Sequence, residues 1–84
     1  MSQTRKPRVA FVDDEEDLAA SLADKYSGDY ETIAFTSPHD ALTHIDDSVA
    51  VVVADHRMPR MTGVELLAKL RLKIPKRFAS YSQP

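Results

Sequence analysis

Short apolar runs alternate along the chain with longer stretches in which apolar residues recur every three or four positions. The clearest apolar runs are residues 8–12 and 49–54, and a further strand is predicted over residues 30–35, where Tyr30, Thr32 and Ala34 would share one face and Glu31, Ile33 and Phe35 the other. Unbroken β-branched runs are typical of strands buried on both faces, as in a parallel sheet covered by helices. Residues 77–81 form a weaker segment, which predicts either a short fourth strand or a loose tail.

The stretch after the first strand predicts a helix. Acidic residues at positions 13–17 suit the positive end of a helix dipole. Leu18, Leu22 and Tyr26 follow at four-residue spacing and form one apolar stripe. We expect Gly28 to end this helix, because glycine readily adopts the left-handed conformation of a helix C-terminus.

Two further helices are predicted from their caps. Ser37 is a good N-cap and Pro38 suits a first helical position, so a second helix should cover residues 38–45. Its inward residues are expected to be Ala41, Leu42 and Ile45. Thr62 should cap a third helix that ends before Pro75. The apolar face of the third helix is expected to be Val64, Leu66, Leu67, Leu70 and Ile74.

Strand and helix thus alternate three times, which predicts βαβ crossovers and a parallel sheet. The fold class is therefore α/β, a doubly wound, flavodoxin-like parallel sheet. The chain supplies only part of such a fold, with three to four strands and three helices. In the common doubly wound strand order, the first and third strands lie side by side.

The composition narrows the possible functions. The chain has 84 residues, enough for one small domain, and its net charge is −2, which gives no basis for a broad attraction to nucleic acid or membranes. It has no cysteine, so disulfides and thiolate metal sites are excluded. No apolar stretch approaches the length of a membrane span and the N-terminus lacks the apolar region of a signal peptide, so we expect a cytoplasmic protein. Residues 1–7 resemble a short disordered leader.

Acidic side chains follow both buried strands. Asp13 and Asp14 come directly after the first, and Asp55 ends the third. Ligands bind outside the carboxyl ends of parallel strands, so these carboxylates are expected to converge. Like charges at short range need a cation, and Mg²⁺ suits a site with few carboxylates because it keeps waters and accepts phosphate oxygens. Any single aspartate could instead be an ordinary cap or turn residue.

Two segments carry a family resemblance. The sequences Val-Ala-Phe-Val-Asp-Asp-Glu at residues 9–15 and Val-Val-Ala-Asp-His-Arg-Met-Pro-Arg-Met-Thr-Gly at residues 52–63 resemble the two signatures of response-regulator receiver domains. These domains belong to two-component signalling. The resemblance covers residues 8–75, leaving residues 76–84 as the short fourth strand or tail.

The resemblance implies a role for each site residue. Asp55 would accept a phosphoryl group from a phosphohistidine on a sensor histidine kinase. Asp14 and Asp55 would bind Mg²⁺ directly, together with the backbone carbonyl of Arg57, and Asp13 would hold the ion through water. Met58 and Pro59 would shape the turn after the phosphoacceptor, because proline restricts both itself and the preceding residue.

Two other positions are less sharply defined by the resemblance. Gly63 would provide a permissive backbone or close packing at the start of the third helix, although any helix-start glycine would look the same. The family's fourth strand ends in a hydroxyl residue that contacts the phosphoryl group. Ser80 could be that residue, or Ala79 could align there instead. The family's lysine after a fifth strand has no counterpart in these 84 residues.

Three functions remain in order of preference. The first is a phospho-accepting signalling module that is not itself an enzyme. The second is a phosphorylation-incompetent interaction protein, which would dimerise or swap elements through an exposed sheet edge. A small phosphoryl-transfer enzyme comes third, because so short a chain leaves little room for a substrate pocket. A flavin-binding protein is disfavoured, because the first turn is acidic where a phosphate would need Gly, Ser or Thr.

Overall fold

The computed structural model describes residues 6–55, 61–74 and 79–83. The elements in chain order are β1 (Arg8–Val12), α1 (Glu16–Tyr26), β2 (Glu31–Phe35), α2 (Pro38–His44), β3 (Val51–Asp55), α3 (Gly63–Lys73) and β4 (Ala79–Gln83). All strand pairings are parallel, in the order β2-β1-β3-β4. The predicted parallel sheet is confirmed, as is the adjacency of the first and third strands.

Alternate residues of β1 face two different helical layers. Ala10 and Val12 join the main hydrophobic core, which contains buried side chains of α2, β3 and α3. Phe11 instead stacks on Tyr26 of α1, with ring centroids 5.8 Å apart. The side-chain period of two along a strand therefore produces the doubly wound arrangement.

The cores of α2 and α3 largely agree with the sequence pattern. The side chains of Ala41 and Ile45 are buried and Leu42 is partly buried. On α3 and directly after it, the buried apolar residues are Leu66, Leu67, Leu70 and Ile74. Val64 was expected among them, and that expectation is wrong, because its side chain is 60% exposed in the first turn of the helix.

Helix α1 differs from the prediction in two ways. Leu18 is 42% exposed and the buried residue beside it is Ala19, so the sheet-facing stripe starts at Ala19 and not at Leu18. Gly28 does not have a positive φ. The helix instead ends in a right-handed turn, in which the N–H groups of Asp29 and Tyr30 donate to the carbonyl of Tyr26. The predicted left-handed glycine is therefore wrong.

The two ends of the chain clarify the predicted boundaries. The carbonyl of Pro7 accepts a 2.9 Å hydrogen bond from the N–H of Glu31, so the backbone pairing of β1 with β2 begins one residue before β1. Residues 1–5 lie outside the described part. At the other end, the segment left open between strand and tail contains β4, which pairs with β3 from Ala79 to Gln83.

Candidate metal site at the carboxyl edge of the sheet

The strand register brings the early and late acidic residues to the same point of the sheet. Val12 and Ala54 are direct partners across β1 and β3. Asp13 is the residue after Val12 and Asp55 is the residue after Ala54. Asp14 follows Asp13 in the loop before α1. The carboxyl ends of two neighbouring parallel strands therefore present all three side chains to one side of the sheet.

The three carboxylates converge closely. One carboxylate oxygen from each of Asp13, Asp14 and Asp55 lies within 4.8 Å of the other two. Asp13 is buried, Asp55 is half-buried and Asp14 is exposed. The group is therefore open to solvent on the side of Asp14 and closed on the side of Asp13.

Backbone hydrogen bonds hold Asp13 in place. Its N–H donates to the carbonyl of Phe35 at 3.0 Å, which extends the pairing of β1 with β2. Its Oδ1 accepts a 2.9 Å hydrogen bond from the N–H of Glu15. This Asx-type contact satisfies an N–H group at the start of α1, where the side chain of Glu15 makes no cap. The orientation of Asp13 is therefore fixed by the fold.

The surroundings of Asp13 disfavour its negative charge. Its side chain is only 3% exposed. Burial is the largest cause that raises the pKa of Asp13, and the nearby carboxylates of Asp55, Asp14 and Glu15 raise it further. The hydrogen bond from Glu15 acts in the opposite direction without cancelling the others. A cation at this point would reverse the repulsion among the carboxylates.

The donor set fits a hard divalent cation. Mg²⁺ binds oxygens at about 2.1 Å, so two ligands on opposite sides of the ion are about 4.2 Å apart. Carboxylate oxygens within 4.8 Å of one another need only small movements to share one ion, directly or through water. Among the described residues, the group that could hold a metal ion consists of these three carboxylates, which match the oxygen preference of Mg²⁺.

Two curated relatives are described as transcriptional regulators. No family model matches the chain. It is 35% identical over 68 residues to a transcriptional regulatory protein, FlgR, of Helicobacter pylori, covering 79% of this chain and 18% of that protein. It is 41% identical over 66 residues to a putative transcriptional regulator of Haloferax volcanii, covering 75% and 11%.

Solved structures share the fold. A structure of adenylate cyclase from Rhodopirellula baltica matches with a TM-score of 0.83 and 33% identity, covering 92% of this chain and 58% of that one. The non-phosphorylated HemR receiver domain of Leptospira biflexa matches with a TM-score of 0.73 and 27% identity, covering 81% and 56%. A response-regulator receiver protein of Clostridium thermocellum matches with a TM-score of 0.77 and 20% identity, covering 90% and 63%.

In its fold and in part of its sequence, the chain is similar to response-regulator receiver domains. It spans less than a fifth of the two curated regulators and 56–63% of the three solved chains named above. None of its described helices has the length and apolar character that a membrane crossing requires.

The remaining expected site residues lie between β3 and the start of α3. Arg57, Met58 and Pro59 lie outside the described residues. Gly63 is buried at the start of α3 and does not have a positive φ. Directly before it, Thr62 forms a reciprocal capping box with Glu65, in which each backbone N–H donates to the other side chain.

The register of β4 shows which of its residues lies level with Asp55. Ser80 pairs with Val52, in the middle of β3, and Ala79 pairs with Val51. Gln83 is the residue opposite Asp55. Three residues of strand separate Ser80 from that level, which is about 10 Å. The sequence carried no signal for this register, because Ser-Tyr-Ser-Gln has no clear alternation of apolar and polar residues.

Proposed function

We propose that this receiver accepts a phosphoryl group on Asp55 from a phosphohistidine of a sensor histidine kinase. The observation that carries the proposal is the convergence of Asp13, Asp14 and Asp55 at the carboxyl edge of a receiver-type parallel sheet. A group of like charges in that position opposes folding, and it is best explained by a cation and a phosphate that bind there.

Asp55 is the best placed nucleophile of the three. It ends β3 and is half-buried, so the sheet holds its backbone while an oxygen remains accessible. In the transfer, a carboxylate oxygen of Asp55 forms a bond to phosphorus while the bond between phosphorus and the histidine nitrogen breaks. Asp13 is buried and its Oδ1 already accepts a hydrogen bond from Glu15, and Asp14 lies two residues beyond the end of β1, so Asp55 is the better placed of the three.

The metal assignment is the one that the resemblance to receiver domains implies. We infer that Asp14 and Asp55 bind Mg²⁺ directly, that the carbonyl of Arg57 is a third protein ligand, and that Asp13 acts through water. Asp13 suits the indirect role because its Oδ1 already accepts a hydrogen bond from Glu15. When bound, Mg²⁺ would neutralise charge on the carboxylates and on the incoming phosphoryl oxygens. The proposal places the protein in the cytoplasm, a reducing compartment with which the cysteine-free sequence agrees.

The test is phosphoryl uptake by Asp55→Asn. The wild type, incubated with Mg²⁺ and a small acyl phosphate, should gain the mass of one phosphoryl group, and peptide mapping should place it on Asp55. Asp55→Asn should gain none, because an amide cannot form the acyl phosphate. Asp29→Asn is the matched control, since it makes the same change at an exposed turn after α1 and should behave as the wild type. Equal uptake by Asp55→Asn would overturn the assignment.

A second candidate is an interaction module that uses the sheet edge. In the described part of the chain, β4 is the outermost strand on one side of the sheet. An unpaired strand edge is a template for pairing with another chain, including a second copy that exchanges elements. A protein that binds Mg²⁺ but takes up no phosphoryl group from a small donor or a phosphorylated kinase would favour this function over the first.

A further inference from the structure

Strand β4 places an amide residue beside the end of β3. Gln83 is the register partner of Asp55, and the two strands pair in parallel. Neighbouring strands of a sheet lie about 4.8 Å apart, so the backbones of these two residues run side by side at the carboxyl edge. Gln83 therefore brings a third strand to the candidate site, which β1 and β3 otherwise form.

The burial of β3 shows to which face of the sheet Asp55 belongs. Val52 and Ala54 are buried in the main core. Val53 and Asp55 alternate with them along the strand and are half-buried. Because side chains alternate between the two faces, Asp55 belongs to the face opposite the main core. Gln83 is placed on the same face, since paired residues at one level of a sheet share a face.

The two serines of β4 occupy other places in the register. Ser82 pairs with Ala54, which belongs to the main core. Ser80 pairs with Val52, which also belongs to the core and lies three residues before the end of β3. Both serines are therefore placed on the core face of the sheet. Among the described residues of β4, Gln83 is the one that shares both the level and the face of the proposed phosphoacceptor.

A carboxamide is chemically suited to a phosphoryl group. Phosphoryl oxygens accept hydrogen bonds, and the side chain of glutamine offers two N–H donors. A hydrogen bond to a charged acceptor is about twice as strong as one between neutral groups. The amide itself carries no charge, so it adds nothing to the repulsion among the three carboxylates. Its effect should therefore be confined to states in which a phosphoryl group is present.

We propose that Gln83 is a phosphoryl-binding residue, whose side-chain amide donates a hydrogen bond to a phosphoryl oxygen on Asp55. The inference rests on the proposed function of Asp55 and adds to it a neutral donor from β4. The donor helps to hold the phosphoryl group while the bond to Asp55 forms, where fixed donors stabilise the developing charge. It makes no contribution to the binding of Mg²⁺ alone.

The rate of phosphoryl uptake tests this role. With Mg²⁺ and a small acyl phosphate, Gln83→Ala should take up the group at least about tenfold more slowly than the wild type, the factor expected for one hydrogen bond to a charged group. Gln83→Glu keeps the size of the side chain but replaces the donor by a repelling carboxylate, so it should be slower still. A residue needed only for packing would tolerate that change.

Ser82→Ala is the matched control, because it removes a polar side chain from the neighbouring position, level with Ala54. It should take up the phosphoryl group as the wild type does. Mg²⁺ affinity should be the same in Gln83→Ala, in Ser82→Ala and in the wild type, and circular dichroism checks that the variants are folded. Uptake by Gln83→Ala and Gln83→Glu at the rate of the wild type would overturn the role of Gln83 and leave that of Asp55 intact.

Beryllium fluoride provides a second test that needs no transfer. Its tetrahedral complex with a carboxylate imitates an aspartyl phosphate, so with Mg²⁺ it should bind the wild type at Asp55 and bind Gln83→Ala at least about tenfold more weakly. Equal affinities would count against Gln83 alone. A wild type that neither takes up a phosphoryl group nor binds beryllium fluoride would overturn the proposed function, and the role of Gln83 with it.

Discussion

At the scale of single residues, Asp13 shows how the site opposes the stability of the fold. The side chain is buried and faces two other carboxylates, yet its Oδ1 supports the start of α1 by accepting from the N–H of Glu15. The hydrogen bond needs an oxygen but does not need a negative charge. One substitution can therefore remove the negative charge of Asp13 and keep the hydrogen bond that it accepts.

Asp13→Asn should stabilise the metal-free protein at neutral pH, by about 1 kcal/mol, a common size for a single substitution. The amide oxygen can still accept from Glu15, while the charge that burial and the neighbouring carboxylates disfavour is removed. Urea unfolding in the presence of a chelator measures the difference.

The gain in stability expected for Asp13→Asn should depend on pH. The pKa of Asp13 is raised in the folded state, so the folded protein holds this proton more tightly than the unfolded chain does. Stability from this group is therefore greatest below the ordinary pKa of 3.8 and is lost as the pH rises through the raised value. The advantage of Asp13→Asn should accordingly shrink as the pH falls towards about 4. An advantage that grew on acidification would contradict this account.

At the scale of elements, the sequence predicted every helix and the first three strands, because apolar period and caps are local properties. It did not predict that Ala19 is buried in place of Leu18, since both residues fit a helical stripe and only the packing against β1 and β2 selects Ala19. The exposure of Val64 was missed for the same reason. The register of β4 depends on a neighbouring strand, so local pattern could not supply it.

The capping box of α3 supports a prediction at this scale. Thr62→Ala removes the oxygen that accepts from the N–H of Glu65 at 3.1 Å. The loss should destabilise the protein by about 1 kcal/mol, as at other N-caps. Thermal or urea unfolding measures the change.

Thr43→Ala is the matched control for that substitution. The hydroxyl of Thr43 donates to the carbonyl of His39 on the exposed side of α2, a contact within one helix that adds little to its stability. We expect a change within about 0.5 kcal/mol, as for most surface substitutions. Equal losses of stability in the two variants would mean that the cap of α3 stabilises the protein no more than an ordinary surface contact does.

At the scale of the whole molecule, one sheet serves both the core and the site. Val12 and Ala54 are buried among the side chains of the core, and the residue that follows each of them carries a carboxylate of the site. The convergence of the aspartates was predictable from the sequence because adjacency of the first and third strands is a property of the fold class. A ligand that binds the carboxylates should therefore stabilise the folded domain as a unit.

A weakened core makes this coupling measurable. Leu70 is fully buried in the core cluster, so Leu70→Ala should cost about 2–5 kcal/mol, a large share of the stability of so small a domain. If Mg²⁺ binds the folded site as proposed, it should return about 2.7 kcal/mol at a concentration one hundred times its Kd. Leu70 contributes no ligand, so the gain should be equal in the wild type and in Leu70→Ala. Asp14→Asn, alone or with Leu70→Ala, should lose most of it. If Mg²⁺ instead stabilised Asp14→Asn as much as the wild type, the ion would be acting elsewhere than at these carboxylates.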